Sequence, residues 1–509
     1  MAIMRKIFIL FFGLIIATLI LDTIHEFSAI TWQHRVEEDL KVIYKNIKFI
    51  HPGLSEIEVA SWHEKGYLLA KKKLEEIDNI EDASAVVKYY INGFKDIHVN
   101  SGHYKYCIGC FVSNKFSFRF WQIGPENPSW AGYQLDNTYK VKYVTPSWDK
   151  KLPAVGDKLA SCDGLSVKTI WESIILPYVN HNTHSVNSTQ KVINLFSMRF
   201  PSIFPLLNSQ KWKTCVFTSE SDKKSTSYDI KWASFDVENS KGFLINENMN
   251  SRVVNVQSNG IIYIAIPSFS FNEKEKQIFQ DRFLKRLQSI EEREATVIDL
   301  RFNTGGSSTR VFEIIESLVP NHLRSSTTVE QISYNRFRIT DELIDVLDKR
   351  LRKIAISQEQ ISYDQVMLER LVNVSKKALA ENLSSIVFPV VSTETFYSNF
   401  NNVRTKKFAK KIYILTDGRC ASACVVFLKI MKELDNVIHI GEHPHMSTIY
   451  TDQISIRTKN NMKVNIPYRA LTLLEASQPE NLEPDIKYEG NFADQEQLKT
   501  WFKHVIQEP

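Results

Sequence analysis

Apolar residues recur at helical spacing at Val36, Leu40, Ile43, Ile47 and Ile50, and the run stops at His51-Pro52-Gly53. That pattern predicts a helix closed by a proline-glycine terminator. A second helix is expected from about Ile57 to Ile77. A third, Ala83 to Phe94, carries Val86, Val87, Tyr90, Ile91 and Phe94 on one face, with Asp82 as its cap. It ends before Lys95-Asp96-Ile97-His98, so His98 falls in the loop just past a rigid element.

Between about Tyr104 and Trp232 the period shortens to that of strands. Tyr139 to Thr145, Lys158 to Ser161 before an Asp163-Gly164 turn, Trp212 to Thr218 and Tyr228 to Trp232 read as extended, with short helices near Ile170 and Val192. From Gly260 strands and helices alternate. Gly260 to Ile266 is a strand, and Asn272 with Glu275 opens a helix carrying Ile278, Phe279, Phe283, Leu284, Leu287 and Ile290. Thr296 to Leu300 is a buried strand before Gly305-Gly306 and a helix through Val311, Ile314, Ile315 and Leu318. Lys411 to Thr416 is the next strand, followed by a helix from about Ser422 to Leu434 and a strand from Asn436 to Ile440. Residues 325–400, with a long charged helix near Glu359 to Glu381, read as an insertion.

Length and composition change this picture little. A chain of 509 residues exceeds one compact core, and 43% hydrophobic with 24% charged residues is an ordinary folded balance. The net charge of +5 is mild, and no basic block points to nucleic acid as a partner. The N-terminus says more. Met4-Arg5-Lys6 precedes the apolar, charge-free run Ile7 to Leu21, which suits the core of an export signal. Phe27-Ser28-Ala29 is a poor cleavage site, so residues 7–21 can instead remain as a membrane tether. Either way the body is expected outside the cytoplasm, periplasmic, in the cell envelope or secreted. Among the cysteines, Cys107 with Cys110 and Cys162 with Cys215 are placed to bridge, whereas Cys420 and Cys424 are expected to pack on one helix face rather than bridge. Asn187, Asn373 and Asn382 are sequons that matter only in a glycosylating host.

Two segments carry candidate chemistry. Asp299-Leu300-Arg301-Phe302-Asn303-Thr304-Gly305-Gly306 ends a buried strand, and its paired glycines can turn backbone N–H groups toward an anion. Cys420-Ala421-Ser422-Ala423-Cys424 places a serine between small residues at a strand-to-helix turn, where the helix dipole favours an alkoxide. Alone, each has a plainer explanation, a tight turn and a helix cap. His98, His103, Cys107 and Cys110 can be written as a zinc set, but cysteines this close in an exported chain more often bridge or pack. No metal or other cofactor is expected.

Together with Gly260 to Phe269 and Val437-Ile438-His439-Ile440-Gly441-Glu442, these segments resemble, in order and spacing, the core motifs of the tail-specific (C-terminal processing) serine peptidases, which include the tricorn core protease. The resemblance implies Ser422 as nucleophile. One branch pairs its serine with a lysine in the loop after Gly-Glu; here that loop, Gly441 to Ser447, has none. The tricorn-like branch uses a histidine from an N-terminal Asp-x-His, which Asp96-Ile97-His98 matches, and a glutamate shortly before a Pro-Asp-Ile-like segment, which Glu480 matches, with Glu483 as fallback. The match departs at Ile97, where that branch has a serine supporting the acid. His443 and His445 are alternative bases in the Gly-Glu loop. Gly305, Gly306 and Ala423 are the implied oxyanion donors.

The resemblance implies an α/β fold, a crotonase-like ββα spiral core with an N-terminal helical domain and a β-rich PDZ-like module. The PDZ likeness rests on Val155 to Val167, which reads equally as a hairpin with an Asp-Gly turn. The expected organisation is a signal or anchor at 1–24, a helical domain supplying His98 at 30–103, the PDZ-like module at 104–245, and the peptidase core at 246–495. The expected activity is an exported serine endopeptidase cleaving extended polypeptides through a Ser-His-Glu triad. The alternatives are an inactive peptide-binding or scaffold relative, or a hydrolase of non-peptide esters or amides.

Overall fold

The computed structural model describes residues 28–104, 129–178, 212–234, 261–270, 295–318, 333–389, 411–473 and 482–507, with short gaps inside some of these stretches. The expected signal, Cys107, Cys110, Asn187, the helices from Asn272 and near Val192, and Glu480 lie outside the described residues. Among the described residues no helix is long and apolar enough to cross a membrane.

The N-terminal helices are α1 (Ala29–Ile50), α2 (Ile57–Lys72) and α3 (Ile80–Asn92). The periodic residues Val36, Leu40, Ile43 and Ile47 of α1 are fully buried, as the spacing requires. The cap of α3 is Asn79, not Asp82: Asn79 Oδ1 accepts the Asp82 N–H at 2.9 Å, and Asp82 reaches back to the Asp78 N–H at 3.2 Å. Asp82 is therefore the third helical residue, its carboxylate reaching past the cap, and the helix starts earlier than the apolar pattern suggested.

Strand β1 (Asn100–Ser101) leads out of the His98 loop. A small antiparallel sheet follows, with β2 (Lys158–Cys162), β3 (Leu165–Ser166), β4 (Thr214–Thr218) and β5 (Ser225–Asp229) in the order β3-β2-β4-β5. Asp163 and Gly164, both at positive φ, make the β2–β3 turn, and the Cys162–Cys215 disulfide joins β2 to β4. The last strand starts and ends three residues before the expected Tyr228 to Trp232 and overlaps it at Tyr228 and Asp229.

The rest of the chain builds two larger sheets. Strands β6 (Ile261–Ala265) and β7 (Ala295–Asp299) belong to one; β8 (Ser333–Arg338), α4 (Asp341–Ser357), α5 (Tyr363–Ala380) and β9 (Ser385–Pro389) fill the expected insertion. Then come β10 (Lys411–Thr416), α6 (Ala423–Lys432), β11 (Val437–Gly441), β12 (Tyr450–Arg457), β13 (Lys463–Leu473), β14 (Ile486–Lys487) and α7 (Gln495–Gln507).

Strands β6-β7-β10-β11-β14 pair in that order, all parallel. Their residues alternate between two cores, as a sheet covered on both faces demands. Ile264, Ile298, Ile412 and Ile414 pack with Val311 and with Phe427, Leu428 and Met431 of α6. Tyr263, Val297, Tyr413 and Leu415 pack with Leu498, Phe502 and Val505 of α7. The second sheet is antiparallel, β1-β13-β8-β9 with β12 on β13, and shares one core with the N-terminal helices: Val464 and Ile466 of β13 meet Leu40, Val86 and Ile91. Buried Asp39 of α1 reinforces that contact, accepting from Tyr104 Oη at 2.9 Å and Thr458 Oγ1 at 2.7 Å. The fold is thus mixed α/β with N-terminal helices, and the segment carrying His98 is tied to strands from the far end of the chain.

Truncating Phe502, 1% exposed against the parallel sheet, should lower the urea-unfolding free energy by about 3–5 kcal/mol, read from the shift in midpoint.

Candidate active site

In an open parallel sheet, reactive groups gather beyond the carboxyl ends of adjacent strands. Here β7 and β10 are neighbours, and the loops leaving them touch. Asn303 is the joint. Its Oδ1 accepts the Gly305 N–H at 2.9 Å, its Nδ2 donates to Ile266 O at 2.9 Å, and its carbonyl accepts the Ala421 N–H at 3.1 Å. Asp417 makes a second tie, with Oδ1 accepting the N–H of Phe302 and of Arg419 at 2.9 and 3.0 Å.

Ser422 sits at the tip of the turn after β10, immediately before α6, with φ of +54°. That left-handed conformation is rare for a residue with a side chain and lifts Oγ out of the turn. Gly305, at φ +103°, passes so close beneath that a Cβ there would lie 2.8 Å from Ser422 Cβ. Gly306, at φ +139°, backs onto the Phe269 main chain. Of the three expected oxyanion donors, Gly305 has its N–H turned to Asn303, while Gly306 and Ala423 follow Gly305 and Ser422 in the two touching loops.

The Cys420–Cys424 disulfide overturns the expectation that these residues only pack. Their spacing suggested one helix face, but α6 begins at Ala423, so Cys420 precedes the helix and the turn at Ser422 folds it back over the first helical turn. Both cysteines are fully buried.

His98 arrives from the other side. Its Nε2 lies 3.1 Å from Ser422 Oγ, across 324 positions of sequence. Its Nδ1 lies 3.2 Å from Asp96 Oδ1, which also accepts the His98 backbone N–H at 2.9 Å. An aspartate two residues ahead commonly binds the backbone it precedes; here that turn also aims the carboxylate at the ring. Burial pushes the Asp96 carboxyl upward, and the attraction of the His51 and His98 rings more than reverses it, holding it well below the usual carboxylate range. It stays ionised.

Asp96 is the partner that the sequence pattern did not single out, although the Asp-x-His spacing carried the signal. Glu480 lies outside the described residues, and the fallback, Glu483, is an exposed residue paired with Lys487 at 2.9 Å. His443 Nδ1 lies 2.6 Å from Pro444 O, and the His445 N–H donates to Cys420 O at 2.8 Å, so that loop braces the serine turn. His103 Nε2 lies 3.3 Å from Lys88 Nζ. Lys432 of α6 donates to Glu483 O at 3.2 Å.

Two predictions follow from these loops. Gly305→Ala should drive a Cβ into Ser422 and lower hydrolytic kcat by about a hundredfold, measured on any cleaved peptide. The second concerns pH. Burial pushes the Asp417 carboxyl up to about 6, partly offset by the Phe302 and Arg419 N–H groups. A raised carboxyl binds its proton more tightly folded than unfolded, so its stabilisation is present below about pH 4 and lost as pH rises through 6. Asp417→Asn keeps an acceptor oxygen and removes that loss. Its stability relative to wild type should rise by about 2–3 kcal/mol between pH 4 and pH 8 in urea titrations.

Residues 260–488 match the model of peptidase family S41. No curated protein matches the chain. Mature CPAF complexed with lactacystin is 14% identical, with a TM-score of 0.57 over 94% of this chain and 100% of that one. Mature CPAF solved alone gives the same identity and score over 94% and 98%. A photosystem II D1 C-terminal processing protease covers 92% and 96% at 10% identity, with a TM-score of 0.34. The CPAF structures share the fold across nearly the whole chain, and the family match falls on the segment that holds both touching loops and Ser422. Over residues 260–488 the chain is similar to peptidase family S41, and it is a serine peptidase that acts on polypeptides.

Proposed function

We propose that this protein is an exported serine endopeptidase in which Ser422 is the nucleophile and His98 the general base, with Asp96 holding the base. The observation that carries the reading is the 3.1 Å approach of His98 Nε2 to Ser422 Oγ. A serine hydroxyl is a weak nucleophile near neutral pH, so it needs a base within hydrogen-bond reach. As Oγ attacks the scissile carbonyl carbon, its proton passes to His98 Nε2. That proton is then given to the leaving amine as the C–N bond breaks. Water repeats the cycle on the acyl-enzyme, releasing the new carboxyl end and restoring Ser422.

Asp96 keeps the proton of the neutral ring on Nδ1, leaving the Nε2 lone pair for Ser422, and stabilises the imidazolium once formed. In this reading Asp96 takes the place on Nδ1 that the family resemblance gave to Glu480. The N–H groups of Gly306 and Ala423 receive the oxyanion, Ala423 with the added field of the α6 N-terminus. Gly305 shapes the floor of the site, its own N–H being bound to Asn303. The basic start and the apolar run of residues 7–21 support export, with the run either removed or kept as a tether.

The test is hydrolysis of an unfolded polypeptide such as reduced, alkylated casein. Ser422→Ala and His98→Ala should each lower kcat by about 10⁴-fold or more, and Asp96→Asn by about 10²–10⁴-fold, with KM little changed. Casein cleavage by Ser422→Ala at the wild-type rate would refute the assignment.

A further inference from the structure

Behind Asp96 lies a second, wholly buried imidazole that the hydrolytic cycle does not use. His51 ends α1 and is 0% exposed. Its Nδ1 accepts the Gly53 N–H at 3.1 Å, so the ring is neutral there and its proton is on Nε2. That Nε2 makes no hydrogen bond among the described residues, and it lies 3.8 Å from Asp96 Oδ2. The distance exceeds a hydrogen bond, but apo catalytic contacts often shorten in the working complex.

The two oxygens of Asp96 therefore face two imidazoles, Oδ1 toward His98 and Oδ2 toward His51. The His51 ring is clamped by Tyr450 edge-on at 4.7 Å and by Phe94 at 5.7 Å. Tyr450 in turn donates to Glu56, which is paired with Arg336. Phe94 follows the end of α3 and Tyr450 opens β12, so the ring is held between two parts of the fold that are distant in sequence.

We propose that His51 is a positioning residue for the reaction: its Nε2–H, fixed in direction by the Gly53 cap, holds the Asp96 carboxylate so that Oδ1 stays aligned on His98. The inference rests on the Ser422–His98–Asp96 reading above. It assigns a task to the His-Pro-Gly terminator, which by pattern alone only ends a helix. A misplacement of about 1 Å in a catalytic group can cost a hundredfold in rate, so a neutral donor behind the carboxylate has room to matter.

The two ring nitrogens allow the capping and positioning roles to be separated. His51→Asn keeps an acceptor near Nδ1 for the Gly53 N–H and removes the donor facing Asp96. His51→Gln reaches further, keeps a donor near Nε2 and gives up the Gly53 bond. With casein as substrate, His51→Asn should unfold near the wild-type temperature, keep its KM and lose about tenfold to a hundredfold in kcat. His51→Gln should keep most of the wild-type kcat even if its melting temperature falls. Wild-type kcat in folded His51→Asn, with Ser422→Ala inactive, overturns the His51 inference alone. Full activity in Ser422→Ala overturns both. Should His51→Asn fail to fold, His51→Gln decides: retained kcat supports positioning, and lost kcat in a folded protein overturns it.

Discussion

A single hydrogen bond, His98 Nε2 to Ser422 Oγ, sets the demands on the rest of this structure. Its partners arrive on different layers. Ser422 is carried by the parallel sheet and its covering helices; His98 is carried by the N-terminal helices and the antiparallel sheet. The loop bearing His98 is held at both ends, by α3 in the shared core and by β1, whose Asn100 and Ser101 pair with Asn465 and Val464 of β13. The Asn465 amide adds a bond of 2.7 Å to Asn100 Oδ1. Strands that follow Ser422 in sequence thus position His98, which precedes it.

Local chemistry around the serine serves the same end. The turn is held in a strained backbone state by neighbours that leave it no alternative: Asn303 and Asp417 bind its main chain, Gly305 lies against it, and a disulfide closes over it. Such strain persists only where surrounding structure over-determines it, and it is common where a reactive atom must be exposed. Asp96 plays the corresponding part for the histidine. Fully buried between two imidazoles, it remains charged because their attraction outweighs the cost of burial, and a charge in such surroundings orients a ring more firmly than one in water.

Much of this was legible in the sequence. Helical spacing located α1 to α3, continuous apolar runs located β7 and β10, and the small-residue turn with its paired glycines located the serine and its floor. The antiparallel sheet was not, because β8, β9, β12 and β13 are half-buried strands that pair across long separations and inside an apparent insertion. Cys420 and Cys424 misled because a spacing of four implies one helix face only when both residues are helical. Asp96 escaped notice as a partner because a carboxylate two residues from its histidine reads as a turn former, and only the fold reveals that its second face meets His51. Asn303 and Asp417 stood inside recognised motifs, yet their bonds cross between loops far apart in the chain.

The most direct test of the central claim is to react the purified protein with a fluorophosphonate and map the adduct by peptide mass spectrometry. The account predicts one adduct, on Ser422, at a rate that collapses when His98 is replaced by alanine. An adduct elsewhere, or equal labelling of Ser422 without His98, would contradict it.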